Sequence, residues 1–333
     1  MDDRYPITFR AEITPKLMAE IQQGSCACIV GLAGVGKSNL VRFMQKPETL
    51  RHYIKGSSLA SRIHILNVDC SPGDQPRDEL YREMDAAVRE LIRVQGWPLP
   101  FLDAEATPFE TLRSRLRFLC QEKNLRVVFV LDEFEAVLRK QPAGVLEDLR
   151  RLRDDHRERA NLLFIVITHI LPHLVAHNPP IRETKFFELI GERIYALGPY
   201  SRADVESMLD ARMQIKGADP RVLTPAQRNV LYDLSGGHSR LLRALFDEYY
   251  PMFPATPQDP GRLLREMPGV GMACQHVWTH LHMDEQNLLL TVVQGRVISP
   301  TAETYLRKRG LLRPGGRGLE LFSPLFREYV RTL

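Results

Sequence analysis

Residues 31–38 have the sequence GLAGVGKS, which lies between the apolar run CACIV at 26–30 and the run NLVRFM at 39–44. The pattern G-x-x-x-x-G-K-[ST] between an expected strand and an expected helix is typical of a phosphate-binding loop. The alternative is a glycine-rich turn with an exposed lysine. The full match in the required context favours the phosphate loop.

The residues of this loop have separate expected roles. Three glycines without a Cβ let successive backbone N–H groups approach phosphate oxygens as donors. Lys37 is expected to reach the β and γ phosphates, and Ser38 to ligate Mg²⁺. The helix that follows directs its positive end at the anion. The predicted nucleotide contacts are Gly31, Gly34, Val35, Gly36, Lys37, Ser38 and Asn39.

A second motif, RVVFVLDEFE at 126–135, is an apolar strand that ends in two carboxylates. Burial of adjacent carboxylates at a strand end is costly unless a cation holds them. Asp132 is therefore expected to bind Mg²⁺, directly or through its water, and Glu133 to polarise an attacking water as general base. The alternative is that Glu133 and Glu135 are surface acids. Together the two motifs predict an ATPase with ATP or ADP and Mg²⁺ as cofactors.

Short apolar runs alternate with helical patterns through the first 198 residues, which predicts an α/β fold with a parallel sheet. We interpret 1–198 as a P-loop nucleotide-binding α/β domain. The expected strands are SCACIV (25–30), IHILNV (63–68), RVVFVL (126–131), LLFIVIT (162–168) and RIYAL (193–197).

After residue 198 the pattern is helical, and 199–250 is predicted to be a small helical lid. Ser201 is expected to cap one helix, which Gly217 ends, and Thr224 with Pro225 opens another. A third helix is expected over about 239–249. The segment 251–271 is rich in proline and is predicted to be a linker.

The last segment, 272–333, has the order helix, helix, hairpin, helix, which resembles a winged-helix domain. The expected helices cover about 284–294 and 302–309, and the PGGRG turn supplies the hairpin glycines. Residues 301–333 carry seven bases and three acids, a surplus equal to the +4 of the whole chain. DNA or an acidic protein could be the partner, with Arg307, Lys308, Arg309 and Arg317 as phosphate contacts. A solvated basic face is the alternative.

Composition excludes several classes of protein. Hydrophobic residues make up 44% and charged residues 26% of the 333 residues, which is ordinary for a globular chain. No apolar run approaches the ~18 residues of a membrane helix, and the start lacks the layout of a signal peptide, so a cytoplasmic protein with no membrane partner is expected. The five cysteines are odd in number and show no CxxC spacing, so buried free thiols are expected.

With these motifs the chain resembles the AAA+ ATPases, and especially the STAND group of nucleotide-controlled switches. The strand NLLFIVIT ends in Thr168, where that superfamily places a polar sensor of the γ phosphate, and His169 is the second candidate. The run LSGGHSRLLRALF at 234–246 resembles the GGHP-type motif of the lid. STAND proteins commonly have proline after Gly-Gly-His, whereas this chain has Ser239.

An arginine at the head of a lid helix resembles the second sensor of origin-recognition-type initiator ATPases. The resemblance implies that Arg240 contacts phosphate; otherwise His238 is the better candidate for nucleotide sensing. The arginine-rich segment 145–162 lies where ring-forming AAA+ proteins place an arginine finger. Its interleaved acids fit a salt-bridged exposed helix as well.

The resemblance implies a switch with slow ATP hydrolysis, in which ATP or ADP sets the orientation of lid and winged helix. STAND proteins usually carry sensor and effector domains that this sequence does not include, which implies a separately encoded protein effector in trans and suits a defence or mobile-element role. One rival is an oligomeric DNA-binding ATPase, an initiator or transposition target selector. Another is a nucleotide-binding regulator without significant hydrolysis. A homo-oligomer is expected in the ATP state.

Overall fold

The computed structural model describes residues 5–71, 76–100, 105–140, 143–155, 159–175, 184–217, 223–249, 254–256, 258–315 and 318–333. The chain forms two compact units. We call the first the sheet unit; it comprises Glu12–Val30 and Ser38–Tyr195. The second, the helical unit, comprises Met1–Ala11, Gly31–Lys37 and Ala196–Leu333, so that the GLAGVGKS residues up to Lys37 belong to it.

A five-stranded sheet with the strand order β2-β3-β4-β1-β5 confirms the predicted α/β fold. The pairs β2 with β3, β3 with β4, and β4 with β1 are parallel. The predicted strands are confirmed to within two residues at each end. They are β1 Ala27–Gly31, β2 Ile63–Asp69, β3 Arg126–Asp132, β4 Leu162–Thr168 and β5 Ile194–Leu197.

The apolar character of the central strands explains their place in the sheet. Strands β1 and β4 are buried throughout, and β3 is buried up to its last residue, Asp132. Strand β2 lies at an edge of the sheet and alternates between buried and more exposed residues. Because parallel strands end on the same side, Asp132 lies opposite Asp69, and Thr168 lies opposite Val30.

Helices connect and cover these strands. Thr107 begins one of them with a reciprocal capping box to Glu110, and a π-helical turn, Phe118–Glu122, continues it. The helices are α1 Thr14–Gln23, α2 Lys37–Met44, α3 Pro47–Tyr53, α4 Ser57–Ala60, α5 Pro76–Val94, α6 Pro108–Arg117, α7 Glu135–Lys140, α8 Ala143–Asp154, α9 Pro172–Val175 and α10 Phe186–Ile190, with a 3₁₀ turn at Arg159–Asn161.

The helical unit contains the helices predicted after residue 198. Ser201 and Thr224 each form a capping box with the third residue of the helix that follows. The elements are α11 Arg202–Ile215, α12 Pro225–Ser235, α13 Ser239–Tyr249, α14 Pro260–Glu266, α15 Pro268–Thr279, α16 Met283–Val293, α17 Pro300–Lys308, β6 Leu312–Gly315, β7 Gly318–Leu321 and α18 Pro324–Arg331.

The segment 251–271, predicted to be a linker, contains α14 and the start of α15. Its prolines Pro260 and Pro268 stand at the first turn of each helix. Proline is tolerated there because the N–H that it lacks has no partner within the helix. These two prolines therefore begin helices, although prolines in this segment predict a linker. The division of the chain into 1–198, 199–250, 251–271 and 272–333 remains a prediction.

The C-terminal elements follow the predicted order of two helices, an antiparallel two-stranded hairpin and a helix. Of the bases suggested for DNA contact, Arg309 is buried and its Nε donates to Glu285 Oε1 at 2.7 Å, which also accepts from the Tyr305 hydroxyl at 2.8 Å. Arg309 is thus a structural ion-pair partner, contrary to that suggestion. Arg307 pairs with Glu303, and Arg317 lies outside the described residues.

All five cysteines are buried free thiols, as expected. Burial raises the pKa of Cys28, Cys120 and Cys274 to about 12 and also raises the pKa of Cys26 and Cys70. Among the described residues, the structure contains no helix with the length and hydropathy to cross a membrane.

Gly236 ends α12 in the left-handed conformation, with φ 59°, and a Cβ there would lie 1.9 Å from the Phe322 carbonyl oxygen. We expect Gly236→Ala to destabilise the protein by about 3 kcal/mol or more, because left-handed strain and a clash with backbone add together. Gly217→Ala is the matched control, since its φ is 69° and nothing lies within 4 Å of its added Cβ. It should cost about 1 kcal/mol. Chemical denaturation measures both, and equal losses would contradict the packing argument.

Candidate nucleotide and magnesium site

Lys37 lies at the start of α2 and folds back over its own loop. Its Nζ donates to the carbonyl oxygens of Gly31 at 3.1 Å and Leu32 at 3.3 Å, and only 6% of the residue is exposed. An ammonium group held among loop carbonyls places a positive charge at the phosphate loop. Burial of that charge is costly unless polar partners surround it.

Two glycines of the loop are required for reasons beyond phosphate contact. Gly34 and Gly36 have φ of 75° and 104°, conformations that other residues rarely adopt. A Cβ on Gly34 would lie 2.8 Å from Cβ of Arg240, and a Cβ on Gly36 would lie 2.6 Å from the Tyr200 hydroxyl. Within the helical unit, Arg240 and Tyr200 therefore pack so closely on the loop that side chains at positions 34 and 36 are excluded.

Ser38 and Asp132 lie together in the sheet unit. The Ser38 hydroxyl donates to Asp132 Oδ2 at 3.4 Å, and Asp132 Oδ1 accepts from the Glu133 N–H at 3.0 Å. A hydroxyl and a carboxylate are the hard oxygen ligands that Mg²⁺ prefers, and two ligands of one octahedral ion lie about 3 Å apart. The donor set and its spacing fit a magnesium ion.

Glu133 has a strained backbone and a defined side-chain neighbour. Its φ is 56°, in the left-handed region that is costly for a residue other than glycine. Its Oε2 lies 3.3 Å from Nδ1 of His169. Glu133 is only partly buried, so that its carboxylate is held by a histidine while it stays accessible.

Glu135 holds His169 in place, a partnership that the sequence did not reveal. Glu135 is buried, which excludes the alternative of a surface acid for this residue, and its Oε1 accepts hydrogen bonds from the backbone N–H of His169 at 3.1 Å and from the ring Nδ1. Burial raises the pKa of Glu135, but hydrogen bonds from His169 outweigh burial, so the pKa lies below its ordinary value. One ligand atom each of Glu133, Glu135 and His169 lies within 4.8 Å of the others.

Thr168 and His169 end β4 side by side but meet different neighbours. Thr168 is fully buried beside Cys28, and burial raises the pKa of that thiol. His169 is also buried but contacts Glu133. Of the two sensor candidates, His169 is the one beside the predicted general base.

Arg240 and His238 both lie at the phosphate loop within the helical unit. The Arg240 N–H donates to the Gly34 carbonyl at 3.0 Å, and the half-buried side chain passes over Gly34. The ring of His238 is fully buried, with Nε2 3.0 Å from the Ala33 carbonyl oxygen. Burial lowers the pKa of His238 to about 3, with the Ala33 hydrogen bond opposing and the Lys37 charge assisting.

The arginines of the segment 145–162 that the structure describes have partners within the sheet unit. Arg150 and Arg159 both pair with Asp154, and Arg153 donates to the Gly24 carbonyl at 3.1 Å. Arg157 lies outside the described residues. The described arginines fit the interpretation as a salt-bridged helix.

A parallel α/β sheet, a GLAGVGKS loop after β1 and an Asp-Glu pair after β3 define the class of P-loop nucleoside triphosphatases. Within that class, residues 20–174 match the family model described as an AAA domain. The matched residues make up just under half of the chain, and the match agrees with the resemblance to AAA+ P-loop ATPases. The assignment to the STAND group rests on the sequence resemblance alone.

Relatives and solved structures agree with this class. General secretion pathway protein A of Aeromonas hydrophila is 28% identical over 232 residues, which is 67% of this chain but only 36% of that protein. The Walker-type ATPase PABY2304 of Pyrococcus abyssi has a TM-score of 0.61 at 16% identity and covers 98% of both chains. The ORC2 protein of Aeropyrum pernix, in ADPNP–ADP complexes, has a TM-score of 0.53 at 16% identity, over 97% of this chain and 92% of that one. These structural likenesses establish the fold.

The lowered pKa of Glu135 predicts a pH-dependent contribution to stability. The ionised carboxylate stabilises the folded state above its ordinary pKa of 4.5, and this contribution is lost as the pH falls through the lower folded value. We expect the difference in unfolding free energy between wild type and Glu135→Gln to shrink when the pH is lowered from 7 to 3.

Glu147→Gln is the control for this titration, because Glu147 is an exposed glutamate on α8. The difference in unfolding free energy between Glu147→Gln and wild type should not change over the same pH range. Urea unfolding at several pH values measures both differences. A difference for Glu135→Gln that does not change with pH would show that the ionised carboxylate of Glu135 contributes no stability through its hydrogen bonds with His169.

Proposed function

We propose that this chain binds ATP or ADP with Mg²⁺ and hydrolyses ATP slowly, as a nucleotide-controlled switch. The observation that carries the proposal is the pairing of Ser38, in the first turn of α2, with Asp132 at the end of β3. In P-loop NTPases a Ser or Thr of the loop and an Asp at a strand end hold Mg²⁺ in this way. The nucleotide of the ORC2 complexes supports an adenine nucleotide as the ligand.

The loop residues have distinct parts in this proposal. Lys37 reaches the β and γ phosphates, and backbone N–H groups of the loop donate to the phosphates. Ser38 and Asp132 would hold the magnesium ion, which would supply positive charge to offset that of the phosphates.

Glu133 is the proposed general base, and its surroundings support this role. It directly follows Asp132, keeps its carboxylate accessible, and is steadied by His169, which Glu135 holds in turn. A strained backbone at this residue suits a site where geometry is fixed for catalysis. For the polar sensor at the end of β4, the contact with Glu133 favours His169 over Thr168.

The switch is proposed to work through the lid. His238 and Arg240 hydrogen-bond to carbonyl oxygens of the phosphate loop itself, so a nucleotide that alters the loop alters their contacts. A ligand shifts a conformational equilibrium by as much as it favours one state over the other. We propose a separately encoded protein as the effector that responds, and a homo-oligomer in the ATP state.

A DNA-binding oligomeric ATPase is the second candidate. The basic C-terminal segment favours it. With Arg309 buried against Glu285 and Arg307 paired with Glu303, the exposed Lys308 is the base of α17 best placed for a phosphate.

Hydrolysis is tested with Glu133→Gln and Lys37→Ala. Glu133→Gln should keep its affinity for ATP and lose turnover by about a hundredfold or more, because general base catalysis supplies 10²–10⁴-fold. Lys37→Ala should lose nucleotide affinity as well. Equilibrium binding of a fluorescent ATP analogue and phosphate release measure the two effects, with Glu147→Gln as the control.

A regulator that does not hydrolyse ATP predicts equal, negligible turnover in wild type and Glu133→Gln. Normal binding and hydrolysis by Lys37→Ala would contradict the assignment of the phosphate loop.

Turnover with and without duplex DNA separates the two candidate functions. The protein-controlling switch predicts turnover within about twofold of the DNA-free rate, whereas the DNA-binding ATPase predicts stimulation and binding that weakens with salt. In the second case Lys308→Ala should reduce the slope of log affinity against log salt by about 0.9. Lys16→Ala, an exposed lysine on α1, is the control and should leave the slope unchanged.

A further inference from the structure

The carbonyl groups of the phosphate loop accept hydrogen bonds from Lys37 of the motif and from three residues outside it. Lys37 occupies the carbonyls of Gly31 and Leu32, as described above, and the Arg240 N–H occupies that of Gly34. The two remaining carbonyls of the series, those of Ala33 and Val35, face the side chains of His238 and Arg10. Five consecutive carbonyl groups thus each accept a hydrogen bond.

Arg10 is a fully buried arginine with most of its contacts to backbone. Its Nη2 donates to the Val35 carbonyl at 2.7 Å, and its Nη1 donates to the carbonyls of Gly198 at 2.8 Å and Pro199 at 2.9 Å. Its guanidinium carbon lies 4.1 Å from the centroid of the Tyr200 ring, a cation–π contact. Arginine is suited to this place because its planar fork offers several donors in a fixed geometry.

The backbone of Arg10 is also held by a specific hydrogen bond. Its N–H donates to Asp204 Oδ1 at 3.0 Å, and its φ of 54° lies in the left-handed region. A residue other than glycine keeps such a conformation where surrounding contacts impose it, and such residues cluster at functional sites. The side chain is thus aimed at Val35 by contacts at both of its ends.

The ring of His238 has a defined tautomer and donates a hydrogen bond to the loop. A carbonyl oxygen can only accept, so the ring Nε2 facing Ala33 carries the hydrogen, and Nδ1 accepts from the Leu241 N–H at 3.4 Å. Burial keeps the ring neutral, with the pKa lowered to about 3. Its hydrogen bonds with Ala33 and Leu241 therefore stay the same throughout the physiological pH range.

These contacts determine where the N–H groups of the loop point. In a trans peptide the carbonyl of one residue and the N–H of the next point in opposite directions. When the Ala33 carbonyl faces His238, the N–H of Gly34 points away from it. When the Val35 carbonyl faces Arg10, the N–H of Gly36 likewise points to the opposite side.

We propose that Arg10 and His238 are positioning residues of the phosphate loop, which turn the N–H groups of Gly34 and Gly36 toward the phosphates of a bound nucleotide. This inference rests on the proposed nucleotide binding. Neither residue touches the ligand; each acts through one peptide group. The lid and the residues before α1 thereby preorganise the loop, and preorganisation lowers the cost of binding.

The test compares two buried arginines that both hold backbone carbonyls. Arg10→Met should raise the Kd of MgADP by about tenfold or more, and the Kd of magnesium pyrophosphate by a similar factor, since pyrophosphate probes the phosphate cradle alone. Arg126 is the matched control: it is buried in the sheet unit, and its Nη1 donates to the carbonyls of Ile21 at 2.8 Å and Gln22 at 2.9 Å. Arg126→Met should lower the melting temperature yet leave both Kd values within about twofold.

A pair of histidine variants gives a second measurement that does not depend on how well Arg10→Met folds. His238→Gln keeps an N–H donor and should stay within about threefold of the wild-type Kd, whereas His238→Leu should lose about tenfold or more. Calorimetric titration of the full chain measures all Kd values, and thermal melts show which variants are folded.

The outcomes separate this inference from the proposed function. Equal Kd changes in Arg10→Met and Arg126→Met, or equal affinity in His238→Gln and His238→Leu, would overturn the positioning role while nucleotide binding stands. A wild-type protein without affinity for MgADP or MgATP would instead overturn the proposed function, and this inference with it.

Discussion

The constraint on which the rest of this structure depends is the bent backbone of residues 31–37. A chain that turns its N–H groups toward an anion must find partners for the carbonyls on its other side, because buried carbonyls without partners are costly. Here those partners come from Lys37, Arg240, His238 and Arg10. The glycines at 34 and 36 are needed twice, for their positive φ and for the close approach of Arg240 and Tyr200.

Within the sheet unit, parallel pairing brings a second group of candidate residues together. Strands β3 and β4 end at the same edge, which brings Asp132 and Glu133 close to His169. The strand interiors are almost wholly apolar, so polar groups occur only where the strands end. The buried strands therefore form a rigid scaffold, and the residues at their ends carry the candidate functional side chains.

Much of the fold and part of the site could be predicted from the sequence. Strand limits followed from apolar runs, and helix limits after residue 198 followed from caps such as Ser201 and Thr224, since both signals are local. The Ser38–Asp132 pair was predictable because each residue belongs to a fixed motif. Arg10 and Glu135 could not be found in this way, because their roles arise from contacts with Val35 and His169 that are distant in sequence. Arg309 was misjudged for the same reason: composition reveals a positive charge but not the buried Glu285 that neutralises it.

Alkylation of the buried thiols can be used to measure how readily the folded protein opens. Thiolate is the form that alkylating reagents attack, and burial keeps all five sulfhydryl groups protonated and covered. Their labelling must therefore wait for local or global opening, so the labelling rate measures opening free energies. Cys274 belongs to the helical unit, whereas the other four belong to the sheet unit. Peptide mapping of the modified sites would thus give a separate opening rate for each unit within one intact chain.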